Sequence, residues 1–477
     1  MKNSTYTTIH SWIVSKSKTP FYKHPLMFLV ASILLNSCDE FVAVDLPGDQ
    51  LFTESVFEEP ATATAAVVEI YAKMRKNGVL DGSSGGVPYL LANYSDDMDF
   101  YGGDHLGAFP FYKNSLTGVN PEVARIWDNS YNQIYCANAV LDGLARSTTL
   151  SDEVKNQLTG EALFARALLH FSLTNVFGPV PYIKTIAYTE NQKAYRNTTQ
   201  EVYNDAKADV EQAITLLAEN YLSSDRTRPN TYVAKALLAR ICLYQGTWEE
   251  ASNAASAVLN QTDLYGIESD LSKVFLNTSK TTIWQLSPSG SNKNTAEGAL
   301  YVIKTGPPTM SAVSPSLLNA FEPGDLRRLE WIKSVTAGST TWYYPNKYKE
   351  NKNSTPSKES SIVFRTAEMY LIRAEARAQS GFLISAKEDL DHIRQLAGLP
   401  PTTALTQTDL LQAILKERQV ELFTEFGHRF FDLKRAGKLD SVLSATKPGW
   451  NADDVWFPIP ELELNLNPNL RPQNQGY

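Results

Sequence analysis

Two segments of this chain superimpose when aligned on a glycine, and that internal repeat limits the possible architecture more than any other feature. Gly246 and Gly381 are the anchors. Ala239 and Ala374 lie seven residues before them, Ala251 and Ala386 five after, Ala255 and Leu390 nine after, and Val258 and Ile393 twelve after. Small residues at these places let two helices cross closely. Each segment reads as a helical hairpin turned at its glycine. Two unrelated hairpins sharing alanines by chance would give the same matches, so the repeat needs support from elsewhere in the chain.

The spacing matches the tetratricopeptide pattern, with Leu238-Ala239 at the paired hydrophobic and small positions and Gly246 at the turn. Other helices are marked by their ends. One runs from Pro60 to Lys76 and is closed by Gly78, which suits a left-handed cap. Residues 121–145 place Val123, Ile126, Trp127, Tyr131, Ile134, Asn138, Leu141 and Leu144 three and four apart, an apolar helical face. The next helix starts near Ser151, carries Ala165-Arg166-Ala167 and stops at Gly178-Pro179-Val180-Pro181. Thr198 with Glu201 forms a capping box for another. Between about 261 and 362 the helical period fades into Gly, Ser, Asn, Thr and Pro, with short β-leaning runs such as Thr281 to Leu286. Long loops on a rigid scaffold are where binding groups tend to sit.

Charge excludes one class of function. Lys and Arg number 44 against 52 Asp and Glu, a net charge of −8, whereas nucleic-acid binding needs a basic face to release counterions. The N-terminus carries an export signal: Lys2, Lys16, Lys18 and Lys23 precede the apolar run Leu26–Leu35, which is too short to span a bilayer. The basic stretch is long for a signal, which places the expected start further in. Leu35-Asn36-Ser37-Cys38 resembles the bacterial lipoprotein box, with Cys38 lipidated, and Asp39-Glu40 resemble the signal for surface export in Bacteroidetes. Cys136 and Cys242 read as small core residues, with a disulfide between them left open.

Motifs for catalysis fail on context. Gly82-Ser83-Ser84-Gly85-Gly86 contains G-x-S-x-G, but Val79-Leu80-Asp81 is too short a strand before it and Val87-Pro88 should break a helix after it. The histidines form no metal-ligand spacing, and His170, His392 and His428 read as packed, satisfied side chains. Glu417, Glu421 and Glu425 repeat on one helical face; beside Arg418, Arg429 and Arg435 they read as an internal ion network, with Arg327 and Arg328 as further partners. Aromatics carry the more useful signal, because sugar rings lie flat on aromatic faces while their hydroxyls need polar partners. One cluster holds Asp97, Phe100, Tyr101, Phe109 and Tyr112; a second holds Tyr301, Trp331 and Trp342, with Tyr343 and Tyr344. Trp127, Trp248 and Trp284 lie in periodic segments and read as core.

Several segments together resemble the SusD/RagB family, surface lipoproteins of Bacteroidetes that accompany TonB-dependent outer-membrane transporters. The N-terminal ones are Leu35–Cys38, Trp127 with Tyr131, Ile134, Tyr135 and Asn138, Arg166 through Pro181, and Ala234–Gly246 leading into Trp248 and Ala251. Later come Phe321 with Asp325, Arg327 and Arg328, then Arg365 to Ala376, Ile393-Arg394 with Ala397-Gly398-Leu399, and Glu417 to Arg435. Last is the ending Ile459-Pro460, Asn467 to Leu470 and Gln473 to Tyr477. The resemblance implies a mainly α fold, a SusD-like α-superhelix of tetratricopeptide-like hairpins with a loop-rich C-terminal part containing short strands. It divides the chain into a signal at 1–37, an N-terminal helical region at 38–265 and a C-terminal region at 266–477 with ligand loops and the last hairpin. It also implies a non-enzymatic cell-surface lipoprotein that captures oligosaccharides and delivers them to a SusC-like TonB-dependent transporter; no cofactor and no transition-metal site are expected. The aromatic clusters with Asp97 are the expected ligand site. A peptide-binding member of the same family and a ligand-free helical scaffold are the readings the residues leave open.

Overall fold

Helix ends in this chain are set by side chains close by in sequence. The computed structural model describes residues 54–477, so the signal segment and Cys38 lie outside the described residues. Helix α1 (Pro60–Lys76) starts on its proline and ends before Gly78, whose φ is +81°. Helix α2 (Val87–Tyr94) follows and is buried along its whole length. The Asn120 side chain accepts from the N–H groups of Glu122 and Val123 to open α3 (Pro121–Arg146). Ser151 caps α4 (Asp152–Phe177), which stops at Gly178. Thr198 and Glu201 make the expected capping box of α5 (Thr199–Leu216).

The repeat is structural. Helices α6 (Thr231–Gln245) and α7 (Trp248–Leu259) turn at Gly246, with φ +77°; α8 (Thr366–Gln379) and α9 (Leu383–Leu396) turn at Gly381, with φ +83°. Ala239, Ala251, Ala255, Ala374 and Ala386 are all fully buried at the helix crossings. Helix α7 packs on α8 although residues 260–365 separate them, so the two hairpins stack. Packing runs in series through α3, α4, α5, α6, α7 and α8, and α10 (Gln407–Leu422) closes the row against α8. This is the α-superhelix expected from the sequence. Two shorter helices, α11 (His428–Arg435) and α12 (Leu439–Thr446), follow. No helix among the described residues is long and apolar enough to cross a membrane.

The loop-rich insertion is clamped at both ends. Strand β2 (Thr282–Leu286) pairs antiparallel with β6 (Ser361–Arg365), and every residue of both is buried. Trp284 on β2 meets Phe164 of α4 edge-on at 5.1 Å and Tyr71 of α1 at 5.7 Å, which ties the insertion to the superhelix core. Elements from both sides of residue 265 thus share one hydrophobic core. Trp127 is buried as expected, and Trp248 is half-buried.

The ion network exists, with Arg327 in it as expected and Arg365 and Lys347 in place of Arg418, Arg429 and Arg435. Glu417 and Glu421 on α10 and Glu425 beyond it face Arg327, Arg365 and Lys347: Arg327 reaches Glu417 at 2.7 Å and Glu421 at 2.8 Å, Arg365 reaches Glu421 at 2.5 Å and Glu425 at 2.8 Å, and Lys347 reaches Glu425 at 2.5 Å. Arg418 lies one residue, about 100°, around the helix from Glu417 and pairs instead with Asp432 at 2.7 Å. Arg429 holds Asp96, and Arg435 pairs with Glu375 and Asp432. Arg328 is outside the network, its guanidinium over the Tyr343 ring at 4.7 Å. His170 is packed and bonded, stacked on Tyr182 at 3.9 Å, but His392 Nε2 and His428 Nδ1 find no partner among the described residues, so the expectation of satisfied histidines holds for His170 alone.

Candidate ligand-binding surface

Strand β1 (Met98–Phe100) is placed by the acidic residues before it. Arg429 donates to both Asp96 carboxylate oxygens at 2.7 and 2.8 Å, and the Ser314 hydroxyl and N–H donate to the carbonyls of Asp96 (2.5 Å) and Asp97 (3.0 Å). These bonds bring β1 beside β3 (Ser311–Val313), where Met98 faces Val313 and Phe100 faces Ser311. The Tyr101 N–H then donates to Met310 O at 2.8 Å. Strand β3 also lies against β5 (Thr340–Pro345), which forms a hairpin with β4 (Ile332–Ala337) through a two-residue turn in which Gly338 has φ +61°. The two aromatic clusters, far apart in sequence, therefore meet across β3.

The first cluster keeps a wet face. Tyr101 is 47 % exposed, Phe109 and Tyr112 are half-buried, and Phe100 lies beneath them with its ring 6.4 Å from each of the latter two. The Lys447 ammonium sits over the Tyr112 ring at 4.3 Å and donates to Asn93 O. Burial pushes the Lys447 pKa down to about 8, opposed by the charges of Asp99, Asp96 and Asp97. Burial raises the Asp99 carboxyl, opposed by Lys447. From the second cluster Trp342, Tyr343 and Tyr344 are half-buried on β5, and a Cβ at Gly306 would overlap the Trp342 ring. Partly open rings beside the half-buried Asp99 and Arg328 can stack a flat apolar ligand face and bond its polar edge.

Four expected contact residues are closed off, Phe100 (8 % exposed, beneath Phe109 and Tyr112) and three others. Trp331 is 1 % exposed, its indole N–H given to Leu271 O, because it ends the short helix Leu326–Glu330 and packs on Phe275. Tyr301, 5 % exposed, ends the helix Ala296–Tyr301 against Tyr89. Asp97 is 2 % exposed; it takes a 3.3 Å bond from the Thr424 N–H and supports β1 from below. Their loops are ordered into short elements, and burial follows from that. Sequence reasoning did not single out Asp99 or Arg328 as contact groups; Lys447, 4 % exposed beneath Tyr112, had no local signal. At the G-x-S-x-G run, Val87-Pro88 starts α2 rather than breaking a helix, and Gly86 has no room for a side chain because a Cβ would overlap the Asp81 carbonyl. No strand precedes Ser84: a 3₁₀ turn, Gly78–Leu80, does.

Comparison with known proteins agrees with the fold. A family model described as starch-binding and associating with the outer membrane matches residues 90–243, and the SusD family model, SusD/RagB, matches residues 327–477. The chain belongs to the SusD/RagB family. SusD-like protein P2 of Formosa agariphila is 26 % identical over 95 % of this SusD-family chain and 100 % of its own length, and P25 of the same organism is 23 % identical over 94 % and 98 %. A laminarin-binding SusD-like protein superimposes with a TM-score of 0.72 at 26 % identity, covering 87 % of this chain and 99 % of its own. A SusD superfamily protein of Bacteroides vulgatus shares the fold, with a TM-score of 0.78 at 20 % identity over 88 % and 100 %.

Proposed function

We propose that this SusD-family protein is a non-enzymatic, cell-surface capture protein: it binds an oligosaccharide on the aromatic surface around β3 and delivers it to a SusC-like TonB-dependent transporter, tethered through lipid on Cys38. The observation that carries the reading is the meeting of two aromatic loops across β3, with Tyr101, Tyr112 and Trp342 partly open and charged groups beside them. The laminarin-binding relative and the starch-binding description of the family support a glycan as ligand. Lipid on Cys38 would contribute about 0.8 kcal/mol per buried CH₂, enough for stable anchoring when several chains are attached.

The described residues form one compact unit with its own core, so the chain from residue 39 serves for the test. Calorimetric titration with laminarin oligosaccharides, maltooligosaccharides and oligopeptides should show saturable glycan binding, about tenfold weaker in Tyr101→Ala and in Trp342→Ala. Binding of peptides only would move the ligand class, and glycan binding untouched by both substitutions would remove the surface. Delivery is tested by co-purification of the full-length protein with a β-barrel transporter.

A further inference from the structure

A second concave surface forms where the C-terminal tail folds against the end of α4. This cleft, of about 610 Å³, lies between Pro179, Tyr195 and the segments 452–456 and 469–475. Its frame is fixed by hydrogen bonds that leave no slack. Arg196 donates from Nε to Pro179 O and from Nη1 to Pro472 O, each at 2.7 Å, and the Asn474 amide donates to Phe177 O at 2.8 Å and Phe457 O at 2.7 Å.

The groups facing the opening are uncommitted. Tyr195 is 71 % exposed, and the half-buried Trp456 lies over Gly178, whose missing side chain lets the ring approach. The Tyr195 hydroxyl, the Trp456 indole N–H, the Asp453 carboxylate and the Gln475 amide make no side-chain hydrogen bond among the described residues, and Arg471 uses only one nitrogen, toward Asn465. An exposed ring held on a rigid frame beside free donors and acceptors is costly to leave in water and well suited to an amphipathic ligand. A pyranose has that chemistry: apolar C–H faces for the rings, and hydroxyls that match a carboxylate acceptor, a guanidinium donor and an amide that does both.

We propose that this cleft is a second carbohydrate-binding site, stacking a sugar ring on Tyr195 and Trp456 and bonding its hydroxyls through Asp453, Arg471 and Gln475. The choice of sugar as ligand rests on the function proposed above; the site is separate from it. Two sites on one protein make the second contact to a long polysaccharide intramolecular, which raises avidity without any new chemistry.

Retention of the chain from residue 39 in native gels containing laminarin or soluble starch tests this. Tyr195→Ala, Arg471→Ala, Trp342→Ala and the double variant Tyr195→Ala with Trp342→Ala are compared with the parent. Tyr195 and Arg471 are exposed, so an unchanged urea midpoint checks that each variant folds. Tyr195→Ala should weaken retention about tenfold, Trp342→Ala should leave a residue of binding, and the double variant should lose it. Retention unmoved by Tyr195→Ala and Arg471→Ala but abolished by Trp342→Ala overturns the second site and leaves the first. Retention lost in Tyr195→Ala and unmoved by Trp342→Ala keeps the cleft and removes the aromatic surface. A parent chain retained by neither polysaccharide overturns both.

Discussion

Asp97 and Glu421 are both enclosed carboxyls, and their surroundings push them in opposite directions. Burial, then the charge of Asp96, raises Asp97 to about 7, against the weaker pull of Arg429, Thr424 and Lys347. A folded-state pKa above the unfolded value favours the protonated fold, so this group's contribution is best below about pH 4 and worsens as pH rises to about 7. Asp97→Asn should therefore stabilise the protein at pH 8 and remove a slope of up to about 1.4 kcal/mol per pH unit from urea unfolding between pH 4 and 7. Identical slopes in parent and variant would show that Asp97 is not the source. At Glu421 burial also acts upward, but the guanidinium groups of Arg365 and Arg327 hold the pKa at about 2. Its contribution is present above about pH 4.3 and is lost as pH falls through about 2. Glu421→Gln leaves two buried guanidiniums short of charge and should cost about 3–5 kcal/mol, read as a lower urea midpoint at pH 7.

At the scale of elements, turns tell which glycines are needed for backbone and which for space. Gly381 joins α8 to α9 with φ +83° and nothing near a would-be Cβ, so Gly381→Ala should cost about 1–2 kcal/mol through the left-handed backbone alone and leave ligand binding unchanged. Gly306 is the reverse case, with Trp342 filling the place of its side chain. Gly306→Ala should displace the ring and weaken glycan binding, with little change in the unfolding midpoint. Paired calorimetry and urea melts separate the two, and a stability loss at Gly306 as large as at Gly381 would contradict the assignment. The caps of α1, α3, α4 and α5 could all be read along the chain, because a cap involves residues only a few positions apart.

Across the whole molecule, the stacked hairpins form the body, and the clamped insertion brings β3 and β5 beside β1. Cys136 on α3 and Cys242 on α6 are buried thiols that are not joined to each other, and burial pushes Cys242 up to about 11. Thiol reagent should label both in urea and neither in the native protein, with reductant leaving Tm unchanged. Rapid native labelling of either would mean that the superhelix opens locally. The same body explains why aromatic content was a partial guide to the site. Of the expected contact residues, Tyr101, Phe109, Tyr112 and Trp342 are partly open, while Phe100, Trp331, Tyr301 and Asp97 are buried beneath or beside them.

The sequence by itself determined the helices and their ends, the glycine-turned repeat and the family, because each rests on residues near one another in the chain or on their order along it. Tertiary structure alone decided which rings stay wet, which arginine meets which glutamate, and that β1 and β5 share a neighbour in β3. Those outcomes depend on partners brought from distant segments, such as Arg327 on Glu421, Arg429 on Asp96 and Lys447 on Tyr112. Burial and pairing are set by what the rest of the fold places beside a residue, and a local pattern of aromatics or charges does not contain that information.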